Sequence, residues 1–362
     1  MAAAEPAAFL AGRAEVRWGI LGCGDVCEVK SGPAFSKAGG SRLVAVMRRD
    51  GAKAADFAAR HGVARSYADA DALIGDAEVD AVYIAAPPGS HEELAQRVAA
   101  ARKPCLVEKP MARNAAECER MQAACARAGV PLFVNYYRRA QPRFLRAAAL
   151  LAGGSLGAVT GASWRYAAPA GGKSGWRVEP EVSGGGIFMD LASHALDALD
   201  FLLGPLAFVG GAASASAGGA AAVEDSVGMV LTTRAGAPVT VSFNCAAGGA
   251  REDALVISCA AGELRLPVFA AETLTVTVAG GAAETFSLPA GPHVAQGMVQ
   301  AVTDALLGRG GGAAVGGAAV GGAAAVVSGE AATRTARLMD AALAAFYGGR
   351  EDGFWLRRAG AR

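Results

Sequence analysis

Between Val16 and Asn135, short apolar runs alternate with alanine-rich stretches of helical composition. The apolar runs are Val16 to Leu21, Leu43 to Met47, Val79 to Ala85, Cys105 to Val107 and Leu132 to Asn135. Between them, Ala52 to His61, His91 to Ala101 and Ala115 to Ala128 carry the helical spacing. Apolar strands this short, each followed by a helix, require a parallel sheet with both faces covered, because such strands are buried above and below. Residues 16–135 are therefore expected to form a doubly wound α/β domain.

After about Tyr136 the pattern changes. Val227 to Thr233, Val239 to Asn244, Ala254 to Cys259 and Leu274 to Val278 alternate apolar with small or polar residues, separated by glycine clusters. A period of two buries one strand face and leaves the other available, which predicts a mostly antiparallel open sheet and an α+β domain over residues 136–362. A chain of 362 residues is also long for one core. The alanine-rich residues 1–15 are expected to be flexible, as is the Gly-Ala-Val tract from Gly308 to Gly322. Ser328 is the expected N-cap of a last helix reaching about Ala345.

Charge narrows the partners. The 34 basic and 33 acidic residues nearly cancel, so no chain-wide field attracts nucleic acid or an anionic membrane. No apolar stretch is long and unbroken enough to span a bilayer. The start lacks the basic and apolar blocks of a secretory signal, whereas an organelle transit peptide stays open. Seven cysteines without metal-type spacing read as reduced thiols of an intracellular, cytoplasmic protein. Four scattered histidines offer no zinc pattern, and no metal is expected. The expected partner is a small molecule.

Gly22-Cys23-Gly24-Asp25-Val26-Cys27 follows the first strand and enters a helix, the setting in which a glycine loop binds a dinucleotide pyrophosphate. Gly22 permits the tight turn, Gly24 lets backbone approach the phosphates, and Asp25 and Val26 open the helix. Cys27 replaces the third glycine. The second strand runs into Arg48-Arg49-Asp50. A guanidinium at that strand end favours the 2′-phosphate of NADP, while Asp50 keeps the ribose diol of NAD as an alternative. The next strand ends in Ala86-Pro87-Pro88, a wall suited to the nicotinamide ring, and His91 opens the following helix as either a ligand contact or a helix-entry residue.

Two further constellations carry the chemistry. Glu108-Lys109-Pro110 ends an apolar strand at the carboxyl edge of the sheet, where open α/β folds bind ligands. Gly184-Gly185-Gly186 leads to Asp190 and His194, one helical turn apart on a shared face. A carboxylate can then fix the tautomer of an imidazole suited to proton transfer near neutral pH. A capping aspartate with a buried structural histidine fits the same spacing. Asp197 and Asp200, further along, suit packing and capping.

Together these residues resemble the Gfo/Idh/MocA family of nicotinamide-dependent oxidoreductases. The resemblance rests on Gly22-Cys23-Gly24, Ala86-Pro87-Pro88, Glu108-Lys109-Pro110, Tyr136-Tyr137-Arg138-Arg139, Trp176-Arg177, the Gly184 to His194 segment and Ser328-Gly329-Glu330. It implies an N-terminal Rossmann domain, then an α+β domain whose large open sheet commonly forms a homo-oligomer interface. It further implies that Lys109 lies beside nicotinamide and substrate, that Asp190 and His194 complete the catalytic group, and that Tyr137, Arg138, Trp176 and Arg177 line the pocket. Glu108 joins the cofactor-binding set with Gly22, Gly24, Asp25, Val26, Arg48, Arg49, Ala86, Pro87, Pro88 and His91. The implied activity is NAD(P)-dependent hydride transfer at a secondary alcohol or carbonyl of a sugar, cyclitol or related polyol. Two alternatives are a cofactor-binding regulator without turnover, and glycoside cleavage through transient oxidation. Departures are Cys27, the missing acid at Arg48 and the glycine-alanine insertion before the last helix.

Overall fold

The computed structural model describes residues 8–169, 175–215, 223–309, 314–315, 318–319 and 325–354. The chain forms two units, one of Met1–Met111, Cys118–Gln141 and Ala290–Glu330, the other of Ala112–Glu117, Pro142–Pro289 and Ala331–Arg362.

The first unit is built on six parallel strands: β1 (Val16–Leu21), β2 (Ser41–Met47), β3 (Arg65–Tyr67), β4 (Ala81–Ile84), β5 (Cys105–Val107) and β6 (Leu132–Val134). Their order is β3-β2-β1-β4-β5-β6, so the direction of winding reverses between β1 and β4 and opens a crevice at their carboxyl ends. All residues of β4, β5 and β6 are buried, as near-continuous apolar runs require. Strand β3 was not expected. Arg65-Ser66-Tyr67 has no apolar run; it is an edge strand paired parallel with β2.

Beside the boundary expected near Tyr136, residues 290–330 group with the first unit. The helix Gln296–Leu307 buries Met298, Val299 and Val302 there. Gln300 exchanges two hydrogen bonds with the Gly39 backbone, at 2.6 and 3.0 Å, and Val134 N–H donates to Val327 O at 2.9 Å. Part of the expected flexible start is likewise tied down. Leu10 N–H donates to Leu306 O at 2.7 Å, Arg13 pairs with Asp80 at 3.0 Å, and Glu15 pairs with Arg42 at 2.7 Å. Residues 1–7 lie outside the described residues, as does most of the tract 308–322. Within that tract Ala314–Val315 and Ala318–Ala319 pair antiparallel.

The second unit carries eight strands: β7 (Val159–Ala167), β8 (Leu206–Ser214), β9 (Ser226–Thr233), β10 (Pro238–Asn244), β11 (Glu252–Cys259), β12 (Gly262–Leu266), β13 (Thr273–Val278) and β14 (Glu284–Ser287). Their order is β14-β13-β12-β11-β7-β10-β9-β8, antiparallel except where β7 meets β10. On β10, Val239, Val241 and Phe243 point inward while Pro238, Thr240 and Ser242 are exposed. The inner face meets the helix Ile187–Leu203, which packs on β9 and on the helix Pro142–Ala152. Among the described residues no helix is long and apolar enough to cross a membrane. All seven cysteines are unbridged.

Candidate active site

The glycine loop is stapled to the end of β2, since Gly22 and Cys23 N–H both donate to Met47 O, at 2.9 and 3.2 Å. Gly22 has φ +90°, and a Cβ there would lie 3.0 Å from Ala86 N and 3.1 Å from Ala85 O, so only glycine fits between the ends of β1 and β4. Gly24 differs. Its backbone is extended, and a Cβ would meet only Gly22 O, at 4.0 Å. That open cradle lies before the helix Asp25–Val29, whose first amides have no intrahelical acceptor. These residues fit the pyrophosphate of a dinucleotide. Cys27 is wholly buried, its thiol 3.8 Å from Ser31 Oγ, and burial pushes that thiol well above its usual range. It fills the helix–strand contact that a third glycine would leave thinner.

At the end of β2, Arg48 is half-buried and Arg49 exposed. Asp50 instead caps the helix Gly51–His61, accepting Lys53 N–H at 3.2 Å and pairing with the Lys53 ammonium at 3.3 Å. These contacts lower its pKa. Ala86-Pro87-Pro88 leaves the end of β4, where Ala85 N–H still donates to Leu21 O at 2.8 Å. His91 opens the helix His91–Ala100. It is fully buried, with Nε2 2.7 Å from Ala86 O and Nδ1 3.1 Å from Met111 O, so it ties the proline wall to the segment after Pro110. Burial lowers its pKa, and a neutral ring donates to one of these two carbonyls, the tautomer deciding which.

Glu108, expected among the cofactor contacts, is buried between β4 and β6. Tyr83 O–H and Asn135 Nδ2 donate to its Oε1, the latter at 2.7 Å, while its Oε2 accepts the Lys109 N–H at 3.1 Å. Both oxygens are committed to protein, and Glu108 fixes the backbone of its neighbour. Burial and the carboxylate hold the Tyr83 phenol firmly protonated. Lys109 itself is half-buried at the carboxyl edge, and its peptide bond to Pro110 is cis. Tyr137 and Arg138 follow β6 in a short 3₁₀ turn, the guanidinium 5.3 Å from the phenol ring. The first unit therefore gathers Gly22, Gly24, Asp25, Val26, Arg48, Ala86, Pro87, Lys109, Tyr137 and Arg138 along one sheet edge.

In the second unit, the triple glycine is a packing seat. A Cβ on Gly184, where φ is +84°, would lie 2.7 Å from the Arg113 backbone, and one on Gly186 would lie 2.3 Å from Glu224 O. Glu224 is buried, accepting Gly186 N–H at 2.9 Å and Tyr347 O–H at 2.6 Å, and burial raises its pKa. Arg350, also buried, donates to Gly184 O at 2.6 Å, Arg113 O at 2.7 Å and Asp340 at 3.0 Å. These groups fix the start of Ile187–Leu203, with Asp190 half-buried in its first turn and His194 only 3% exposed. Asp200 receives a two-pronged pair from Arg334 at 3.0 and 2.8 Å, and Asp197 is wholly buried. Trp176 and Arg177 stack at 4.4 Å in a separate turn of this unit. Sequence reasoning missed Tyr83, Asn135, Glu224 and Arg350. Each is a lone residue on an element distant in sequence; only a tyrosine inside the otherwise aliphatic β4 gives a signal.

A Rossmann sheet with its glycine loop at the switch point, and a second unit with an open sheet under a helix bearing Asp190 and His194, define a two-part nucleotide-binding chain. Residues 16–136 match the model of the oxidoreductase family with an NAD-binding Rossmann fold, and residues 144–265 match the GFO/IDH/MocA C-terminal domain. The chain belongs to the Gfo/Idh/MocA family. It is similar to oxidoreductase P35 of Formosa agariphila, 44% identical over 188 residues, which cover 50% of this chain and 59% of that one. It is 33% identical over 217 residues to the 1,5-anhydro-D-fructose reductase of Ensifer adhaerens, covering 58% of this chain and 64% of the relative. Both matches thus span less than two thirds of the relative. The fold is shared with the 3-ketoreductase KijD10 from Actinomadura kijaniata, solved with NADP and TDP-benzene, at a TM-score of 0.73 and 24% identity over 90% of this chain and 96% of that one.

Proposed function

We propose that this protein is an NAD(P)-dependent oxidoreductase that interconverts a secondary alcohol and a ketone on a sugar, cyclitol or related polyol, with NADP as the preferred cofactor. The observation that carries the reading is Lys109, held by Glu108 at the carboxyl edge of a sheet whose switch point bears an open glycine cradle. The nicotinamide, when bound, supplies the hydride acceptor. Lys109 stabilises the developing alkoxide, a pre-aimed charge of the kind worth about 10²–10³ in rate. His194 takes the hydroxyl proton. Its Nδ1 is sealed from solvent, which leaves Nε2 for the exchange, and Asp190 lies one turn earlier on the same helix.

The preference for NADP rests on Arg48 and Arg49 at the end of β2 and on Asp50 being engaged by Lys53. Tyr137, Arg138, Trp176 and Arg177 contribute to the substrate pocket. The relatives support the substrate class, because the Ensifer protein is named a sugar reductase. The test is a polyol panel followed at the nicotinamide absorbance with NADP⁺ and NAD⁺ side by side. A higher kcat/KM with NADP⁺ is expected, and a higher value with NAD⁺ would overturn the role given to Arg48.

We further infer a homo-oligomer formed through the outer face of the eight-stranded sheet. Val209 and Val230 there are 64% and 42% exposed. Sedimentation of the purified protein as a monomer at micromolar concentration would contradict this.

A further inference from the structure

The turn Pro267 to Ala270, beyond the matched family region 144–265, is clamped from two sides. Arg143, itself almost wholly buried, donates from Nε to Pro267 O at 3.2 Å and from Nη2 to Val268 O at 2.9 Å. Asp253 takes the amides. Its Oδ1 accepts Val268 N–H at 3.1 Å, its Oδ2 accepts Phe269 N–H and, at 2.9 Å, Ala270 N–H, and the Trp164 indole also donates to Oδ1 at 3.2 Å. Two carbonyls and three amides of one short turn are thereby held by charged side chains, the strong class of hydrogen bond.

What this clamp presents is a half-buried phenyl ring. Phe269 and the His194 imidazole meet T-shaped, 6.1 Å between centroids, and Phe269 is packed by Tyr166 at 5.4 Å and Trp164 at 6.3 Å. A core phenyl would be buried, and an ordinary loop phenyl would not need its backbone fixed by two ions. A rigid, partly wet aromatic face beside a proton-transferring imidazole is suited to the C–H-rich face of a sugar ring, since an apolar body is removed from water while the hydroxyls stay free for polar groups.

Resting on the oxidoreductase reading of His194, we propose that Phe269 is the platform for the apolar face of a cyclic polyol, a cyclitol or pyranose, and that Asp253 and Arg143 are the positioning residues that hold it. The site is thereby selective for ring-shaped over open-chain substrates.

The experiment compares an inositol with an open-chain hexitol for the wild type, Phe269→Ala, Phe269→Tyr and Asp253→Asn. In Phe269→Ala the KM for the inositol is expected to rise about tenfold, the change that corresponds to about 1.4 kcal/mol. The KM for the hexitol and the dissociation constant of NADPH should stay put, and Phe269→Tyr should behave as wild type. Asp253→Asn should shift the inositol KM in the same direction with NADPH affinity retained. Equal changes for both polyols, or none, would overturn the proposal. Saturation-transfer NMR of inositol with the same proteins separates the two claims. Binding lost in Phe269→Ala by a wild type without turnover upholds the platform and sinks the oxidoreductase reading; turnover with ring binding indifferent to Phe269 does the reverse.

Discussion

Gly22 and Gly24 look alike in the sequence, yet their surroundings give them opposite duties. Gly22 has no room for a side chain because β4 presses on it, and its φ of +90° strains any other residue. Gly24 has room, and the space above it is what a phosphate needs. Gly24→Ala is therefore expected to leave the unfolding midpoint unchanged within error while weakening NADPH binding at least about tenfold, a loss of about 1.4 kcal/mol. Calorimetry and a fluorescence titration read the two quantities. Unaltered NADPH affinity would remove the cradle from the cofactor site. The loop was legible because its spacing reports a backbone constraint. His91 and Glu108 were assigned by sequence position, whereas the groups they meet, Met111 O for the one and the Tyr83 and Asn135 side chains for the other, lie 20 to 27 residues away.

The helix Ile187–Leu203 was legible only at its start, through Asp190 and His194. What holds that start comes from elsewhere: Glu224 precedes β9, while Tyr347 and Arg350 close the last helix, Gly329–Tyr347. No local pattern could have linked them. Tyr347→Phe leaves Glu224 buried with one donor fewer. The Tyr347 hydrogen bond lowers the Glu224 pKa, against the upward push of burial, so its loss raises that pKa further. A carboxyl whose folded pKa is raised contributes stability that is present below the ordinary value of 4.5 and is lost as pH rises through the folded value. The cost of Tyr347→Phe is thus expected to be small in acid and to grow to about 1–3 kcal/mol at neutral pH. Denaturant melts across that range check this, and a pH-independent cost would contradict it. Strands β3 and β14 show the same limit of local pattern, since none of their residues is buried and no alternation of apolar positions marks them.

For the whole chain, composition and periodicity gave both sheets and the change of texture between them, but not the path. Residues 290–330 return to the first unit, and Ala112–Glu117 belongs to the second, so the chain passes between units several times. An amphipathic helix such as Gln296–Leu307 announces that it covers something, not which sheet it covers. The proposed function gives Lys109 a part in chemistry at a nicotinamide rather than in the binding of it. The most direct test measures initial rates of nicotinamide reduction on a cyclic polyol, together with NADPH affinity, for the wild type and Lys109→Ala. Turnover is expected to fall about 10²–10³-fold with NADPH affinity retained; turnover equal to wild type would contradict the assignment.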